Sequence, residues 1–203
     1  MKRTVAFVLI VLSLLTLCAC AGKQDKNDIK TQLKDIPNAY TETDVLDKVD
    51  IGTIKIEQKE KTFTVQDEVF KFSSFKNSDK ITVNYGKALM DIYAKDGKVQ
   101  KCVVISEDRT IWNEYDADGN ALACTVYTYD EYGNITKECR YGADGALTDF
   151  YEATYHDMLI REKREYSGSY DLLKVTKYYY EGTALKTEAV YGPDLKLQGT
   201  IEH

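Results

Sequence analysis

The chain has 203 residues with 27 basic and 33 acidic side chains, a formal charge of −6, and this acidic balance argues against nucleic-acid binding, which needs clustered positive charge. Without its first 19 residues the chain keeps 184 residues and a charge of −8. That length suits one or two domains, and no second apolar run is present that could span a membrane.

Lys2 and Arg3 precede an apolar run over residues 5–17, interrupted only by Ser13 and Thr16. A cationic head followed by so short a run predicts a cleaved secretory signal over residues 1–19, not a stable membrane span. The run closes on Leu17, Cys18, Ala19, Cys20, Ala21 and Gly22. Leu17 stands three places before Cys20 and the small Ala19 directly before it, which resembles a bacterial lipobox. The resemblance implies cleavage before Cys20, lipidation of Cys20 and attachment to the extracytoplasmic face of the cell membrane. Cys18 departs mildly from the Ala, Ser or Thr usual at its place. Each buried methylene contributes about 0.8 kcal/mol, so two or three acyl chains would hold stably.

Residues 20–48 read as a flexible, lipidated tether. Residues 22–28 have almost nothing to bury, so chain entropy outweighs any packing gain. Ile29, Leu33 and Ile36 fit one face of a short helix that Pro37 would end, and residues 43–49 fit one further turn. From Ile51 the pattern becomes period two, with Phe63 and Val65 alternating with Thr62, Thr64 and Gln66, then Val69 to Phe72 and Ile81 to Tyr85. Residues 49–92 therefore read as an N-terminal β segment, although residues 87–93 suit a helix or a strand.

Residues 93–203 repeat. Tyrosines at 115, 129, 141, 155, 166, 180 and 191 follow one another at steps of 14, 12, 14, 11, 14 and 11, and fourteen of the sixteen tyrosines lie between Tyr93 and Tyr191. Tyr and β-branched residues favour strands, and Asp-Gly or Gly-Asn clusters supply the positive φ of tight hairpins. Two steps make one strand pair of about 25 residues, and such units bury surface only by stacking. The best copies, Tyr115, Asp116, Gly119, Asn120 and Tyr129, Asp130, Gly133, Asn134, resemble the YD-repeat (Rhs-type) family. Tyr141 keeps Tyr and Gly but has Gly142 in place of Asp, and later copies lose or shift the Gly. In large members these repeats wind into a β shell around a toxic cargo, a role this chain is too short to inherit. The spacing around Tyr180, Glu181 and Gly182 is similar to MORN-like repeats, some of which occur in immunity proteins. That similarity implies toxin neutralisation as a second role.

The expected fold is all-β: an antiparallel meander of short repeat hairpins forming a thin, twisted sheet. Taking Tyr129 and Asn134 as a facing pair sets Cys124 opposite Cys139, Val126 opposite Lys137 and Leu122 opposite Tyr141. It sets Lys137 opposite Phe150, and the next hairpin sets Glu152 opposite Lys163. Leu122, Cys124, Val126, Ile135, Cys139 and Tyr141 then share one face. Tyr127, Tyr129, Glu138 and Arg140 share the other. Charge on both faces of residues 161–165 suits a sheet wet on both sides.

No spacing supports a nucleophile–histidine set, because His156 and His203 are the only histidines. Neither a zinc cluster nor a phosphate loop can be assembled, and no cofactor is implied. Asp116, Asp118 and Asn120 look like part of a calcium loop but lack its distant acidic ligand, so a hairpin turn is the simpler reading. Cys124 and Cys139 read as small core residues in preference to a disulfide. The chain is therefore expected to be a non-catalytic surface lipoprotein. Its ligand, a protein or a glycan, would meet Tyr127, Tyr129, Tyr151, Tyr155 and Arg140.

Overall fold

The computed structural model describes residues 45–75 and 79–203; the expected signal peptide, Cys20 and most of the expected tether lie outside them. Among the described residues there is no α-helix, and no helix long and apolar enough to cross a membrane. The chain is all-β, as its period-two pattern requires. Strands β1 (Ile56–Gln58), β2 (Thr62–Val65) and β3 (Glu68–Lys71) form a small antiparallel sheet followed by a 3-10 turn at Phe72–Phe75.

The second sheet is an antiparallel meander of eleven strands laid side by side in chain order. It comprises β4 (Lys80–Tyr85), β5 (Ala88–Lys95), β6 (Lys98–Ile105), β7 (Ile111–Asp116), β8 (Ala121–Tyr129) and β9 (Ile135–Tyr141). It continues through β10 (Leu147–His156), β11 (Leu159–Ser167), β12 (Leu172–Glu181), β13 (Ala184–Tyr191) and β14 (Leu197–Glu202). Of the ambiguous residues 87–93, Lys87 lies in a turn and 88–93 are strand, and the boundary expected between 92 and 93 falls inside β5. Every pairing joins sequence neighbours, so no long crossover has to be closed.

One face of the meander is covered by what precedes it. Phe63, Val65 and Phe75 of the small sheet pack with Ile51 and Ile54 onto Met90, Ile92, Cys102, Tyr115, Cys124, Cys139, Tyr141, Phe150 and Tyr166. Phe63 is wholly buried and touches three further rings, those of Phe70, Phe72 and Phe75. Burying such a side chain contributes about 1.5–3 kcal/mol.

Residues 45–55 do not form a helical turn. They run extended across one end of the meander as a strap. Tyr170 donates from its hydroxyl to Val45 O at 3.2 Å and to the Asp47 carboxylate at 2.8 Å. Leu147 N–H donates to Asp47 O, Val49 N–H to Gly145 O and Ile54 N–H to Gly119 O, at 2.9, 2.9 and 3.0 Å. Tyr115 adds a hydroxyl bond of 3.0 Å to Ile51 O. The expected spacer thus ends before residue 45, because its last residues find backbone partners on the hairpin turns.

Those turns explain the repeat. At Asp116–Asn120, Gly142–Ala146, Ser167–Asp171 and Gly192–Lys196 the first N–H donates to the fifth carbonyl, and the fourth N–H donates back to the first carbonyl. The fourth residue has positive φ each time: Gly119 at 85°, Gly145 at 75°, Tyr170 at 65° and Leu195 at 58°. The copies at Tyr166 and Tyr191 lose the glycine at the fourth place and keep the turn. Each turn follows a tyrosine that is almost wholly buried, at 115, 141, 166 and 191. Tyr129, Tyr155 and Tyr180 stand at the opposite end of the sheet and keep solvent exposure. The alternating steps therefore separate an enclosed row of tyrosines from an open one.

The register differs from the expected one. Asp130 pairs with Asn134 through backbone bonds, Tyr129 pairs with Ile135, and a bulge follows between Thr128 and Tyr129. Cys124 therefore faces Tyr141, and Val126 faces Cys139. The longer turn moves the register by one residue and the bulge by one more. An even shift keeps Cys124, Val126, Cys139 and Tyr141 on their expected face against the core, whereas Leu122, bulged between Ala121 and Ala123, is 46% exposed. The same holds for β9 and β10, where Lys137 faces Glu152 and Cys139 faces Phe150. In the next hairpin the shift is odd: Glu152 faces Arg164, and Lys163 faces Ala153.

Candidate ligand-binding face

The face of the meander turned away from the small sheet carries the tyrosines singled out above. Tyr127 on β8, Glu138 on β9, Tyr151 on β10, Glu165 on β11 and Lys174 on β12 are successive cross-strand partners. The neighbouring row runs Trp112 on β7, Thr125, Arg140, Asp149 and Ser167. Strand alternation puts all ten side chains on one surface.

The rings touch. Trp112 meets Tyr127 edge-on at 5.7 Å between centroids, and Tyr127 leans on Tyr129 at 6.1 Å. Tyr129 donates to Arg109 O at 3.3 Å. The Lys163 ammonium sits 4.0 Å from the centre of the Tyr151 ring. Tyr155 donates to Ile135 O at 3.0 Å, which holds its ring toward the β8–β9 turn. Of the five expected ligand residues, Tyr127, Tyr129, Tyr151 and Arg140 form one contiguous patch, and Tyr155 extends it along β10.

Polar groups between the rings are held firmly. Arg140 reaches Glu138 at 2.7 Å and Asp149 at 3.3 Å. Lys163 bridges to Glu165 at 3.1 Å. Burial, then the nearby Glu138 carboxylate, raises the Tyr127 and Tyr151 hydroxyls above their ordinary value, so both remain neutral donors at physiological pH. Burial lowers the Lys163 pKa. Arg140, Asp149, Tyr151, Lys163, Glu165, Leu173 and Lys174 line a shallow groove of about 470 Å³. Neutral rings flanked by fixed donors and acceptors can stack on an apolar surface and hydrogen-bond a polar edge at once.

Trp112 escaped the sequence reading. It is the only tryptophan, and the parity of residues 111–116 against β8 would have placed it beside Tyr127. Glu138 was placed on the right face but not recognised as the anchor of Arg140.

The remaining reactive residues are occupied elsewhere. Asp116 accepts from the N–H groups of Asp118 and Asn120 and from the Asn120 amide, and Asp130 does the same in its own turn. Cys102, Cys124 and Cys139 are buried thiols outside any disulfide, and burial raises the first two to about 12 and about 11. His156 lies beside Asp157 at one hairpin tip, whereas His203 bonds Glu188 at 2.9 Å. Among the described residues, no group of three His, Cys, Asp or Glu side chains is placed to hold a metal ion.

No family model matches the chain, and no curated protein matches it. Among solved structures, it is similar to a chain in the crystal structure of accessory secretory protein 1, 2 and 3 from Streptococcus pneumoniae, at 10% identity and a TM-score of 0.25. The similarity covers 81% of this chain and 24% of the other, so this chain spans about a quarter of that length.

Proposed function

We propose that this chain is a lipid-anchored protein of the extracytoplasmic membrane face that binds a protein or a glycan through its tyrosine-rich sheet face, without catalysis. The observation that carries this reading is the patch of Trp112, Tyr127, Tyr129 and Tyr151 with Glu138 and Arg140 fixed among them. Aromatic and Arg side chains with little conformational freedom are what interfaces use as anchors, because little entropy is lost on contact. Trp112 is 36% exposed, which leaves it accessible to a ligand. The anchor is read from the sequence around Cys20, and the acidic charge of the mature chain disfavours nucleic acid.

The single tryptophan supplies the test. Trp112 emission should change saturably when the chain is titrated with its ligand from a panel of cell-wall glycans and surface proteins. Tyr127→Ala with Tyr151→Ala should weaken that binding at least about tenfold, equivalent to about 1.4 kcal/mol. Leu122→Ala, at an exposed position outside the patch, should leave it unchanged. Equal binding by the double variant would reduce these tyrosines to cover for the sheet. For the anchor, Cys20→Ala should abolish fatty-acid labelling while Cys18→Ala retains it.

A further inference from the structure

The open row of tyrosines carries three copies of one irregularity. Tyr129 pairs with Ile135, Tyr155 with Ile160 and Tyr180 with Leu185. Each time the next residue of the second strand has no cross-strand partner: Thr136, Arg161 and Lys186. A bulge of this kind re-aims the extra side chain, and bulges recur beside functional sites. Two of the three extra residues are satisfied within the chain. Thr136 donates to Thr128 O at 3.3 Å, and Lys186 bridges to Glu181 at 3.5 Å.

Arg161 is the exception. Its guanidinium carbon lies 5.1 Å from the centre of the Tyr180 ring, which accounts for where it sits. That contact supplies no counter-charge. Among the described residues no carboxylate lies within ion-pair distance of Arg161, and its enclosed Nε–H has no acceptor. Arg140, Lys163 and Lys174 on the same face each hold a carboxylate, and Lys163 does so while also lying on a tyrosine ring. The carboxylates that bear on Tyr155 and Tyr180 are Asp130 and Glu188. Both are committed, Asp130 to its own turn and Glu188 to His203.

The row also has a period that a ligand can match. Tyr129 and Tyr155 donate from their hydroxyls to Arg109 O and Ile135 O, so both rings lean the same way across the preceding strand. Their strands β8, β10 and β12 are two places apart, which spaces the three tyrosines by about 10 Å, twice the separation of neighbouring strands. A disaccharide unit of a β-1,4-linked glycan has nearly that length. Alternate sugars of one chain laid across the strands therefore meet successive rings. Arg161, on β11, then falls between Tyr155 and Tyr180, where a carboxylate on a sugar would supply the missing counter-charge and accept from the guanidinium. The net negative charge of the protein opposes this only weakly, because charges beyond about 8 Å are screened at physiological ionic strength.

We propose that Tyr129, Tyr155 and Tyr180 are stacking sites for a linear β-1,4-linked glycan that carries carboxylates, lies across the strands and pairs one carboxylate with Arg161. This assignment rests on the ligand-binding reading above and narrows it to one class of ligand.

Calorimetry of the full chain with a β-1,4-linked mannuronate hexamer tests it, with the neutral β-1,4-linked mannose hexamer as control. The parent should bind the mannuronate hexamer at least about tenfold more tightly than the neutral hexamer or the mannuronate dimer. Arg161→Gln should bring the acidic hexamer to the affinity of the neutral one and leave the neutral one unchanged. Tyr155→Ala with Tyr180→Ala should weaken both hexamers at least about tenfold, whereas Tyr155→Phe, which keeps the ring, should not. Circular dichroism checks the fold of each variant. A parent that does not bind the mannuronate hexamer overturns the proposal. So do equal affinities for the acidic and neutral hexamers, or an Arg161→Gln variant that binds the acidic one like the parent. The broader reading fails separately: a ligand weakened by Tyr127→Ala with Tyr151→Ala but indifferent to Arg161→Gln, a protein included, keeps the binding face and sinks this assignment.

Discussion

Gly119 and Gly145 answer to two constraints at once, whereas Gly133 answers to one. All three have positive φ, at 85°, 75° and 84°. A Cβ on Gly119 would stand 1.8 Å from Ile54 O, and one on Gly145 would stand 1.9 Å from Val49 O, but a Cβ on Gly133 meets nothing. Gly133→Ala should therefore cost only the left-handed strain, about 1–2 kcal/mol. Gly119→Ala and Gly145→Ala should add overpacking against backbone and reach about 2–5 kcal/mol. Denaturant midpoints of the three variants check the order. The sequence made the turn role of these glycines legible, because Asp-Gly and Gly-Asn demand positive φ wherever they occur. It could not reveal the strap above two of them. That contact joins residues far apart in the chain through carbonyl oxygens, which every residue type carries.

Among the strands, β4 and β5 hold the most enclosed carboxylate. Asp91 accepts from Lys80 at 2.8 Å and from Thr82 at 2.6 Å across the pair, and its side chain is only 10% exposed. Burial alone would raise its pKa, but the bonds from Lys80 and Thr82 together outweigh burial and bring it below 3.8. A carboxyl depressed in the folded state contributes stability above its unfolded value and loses it as pH falls through the folded one. Asp91→Asn should destabilise the chain by about 1–3 kcal/mol at neutral pH. The gap to the parent should shrink as pH falls below about 4, where the parent loses its charged bonds. Thermal melts of both proteins from neutral to acidic pH measure that convergence. Strand pairing was partly legible at this scale. Side-chain faces came out correctly for most of β8 to β10 because alternation fixes them, and two one-residue errors added to an even shift. They failed at Lys163 because only one intervened. Bulges beside Tyr115, Tyr129, Tyr155, Tyr180 and Tyr191 leave no residue-type signature distinct from the turn itself.

Taken as a whole, the described residues are a meander whose early strands are backed by a second layer, with a strap binding the two. The meander was legible from its tyrosine period. The second layer was not, because Phe63, Val65 and Phe75 show only alternation, which does not say what a strand packs against. The strap has a mechanical consequence. Traction on the chain from the N-terminal side of Val45 reaches the Tyr170 contacts first, then the bonds at Asp47 and Val49, then those at Ile51 and Ile54. Bonds met one after another peel singly, at far lower force than the strand ladders of the meander would resist. If residue 20 is tethered to a membrane and the sheet is gripped by a ligand, tension would strip this segment while the hairpins stay paired. Stripping it would release the Tyr170 and Tyr115 hydroxyls and withdraw Ile51 and Ile54 from the core, and so turn a pull between two surfaces into newly exposed apolar surface.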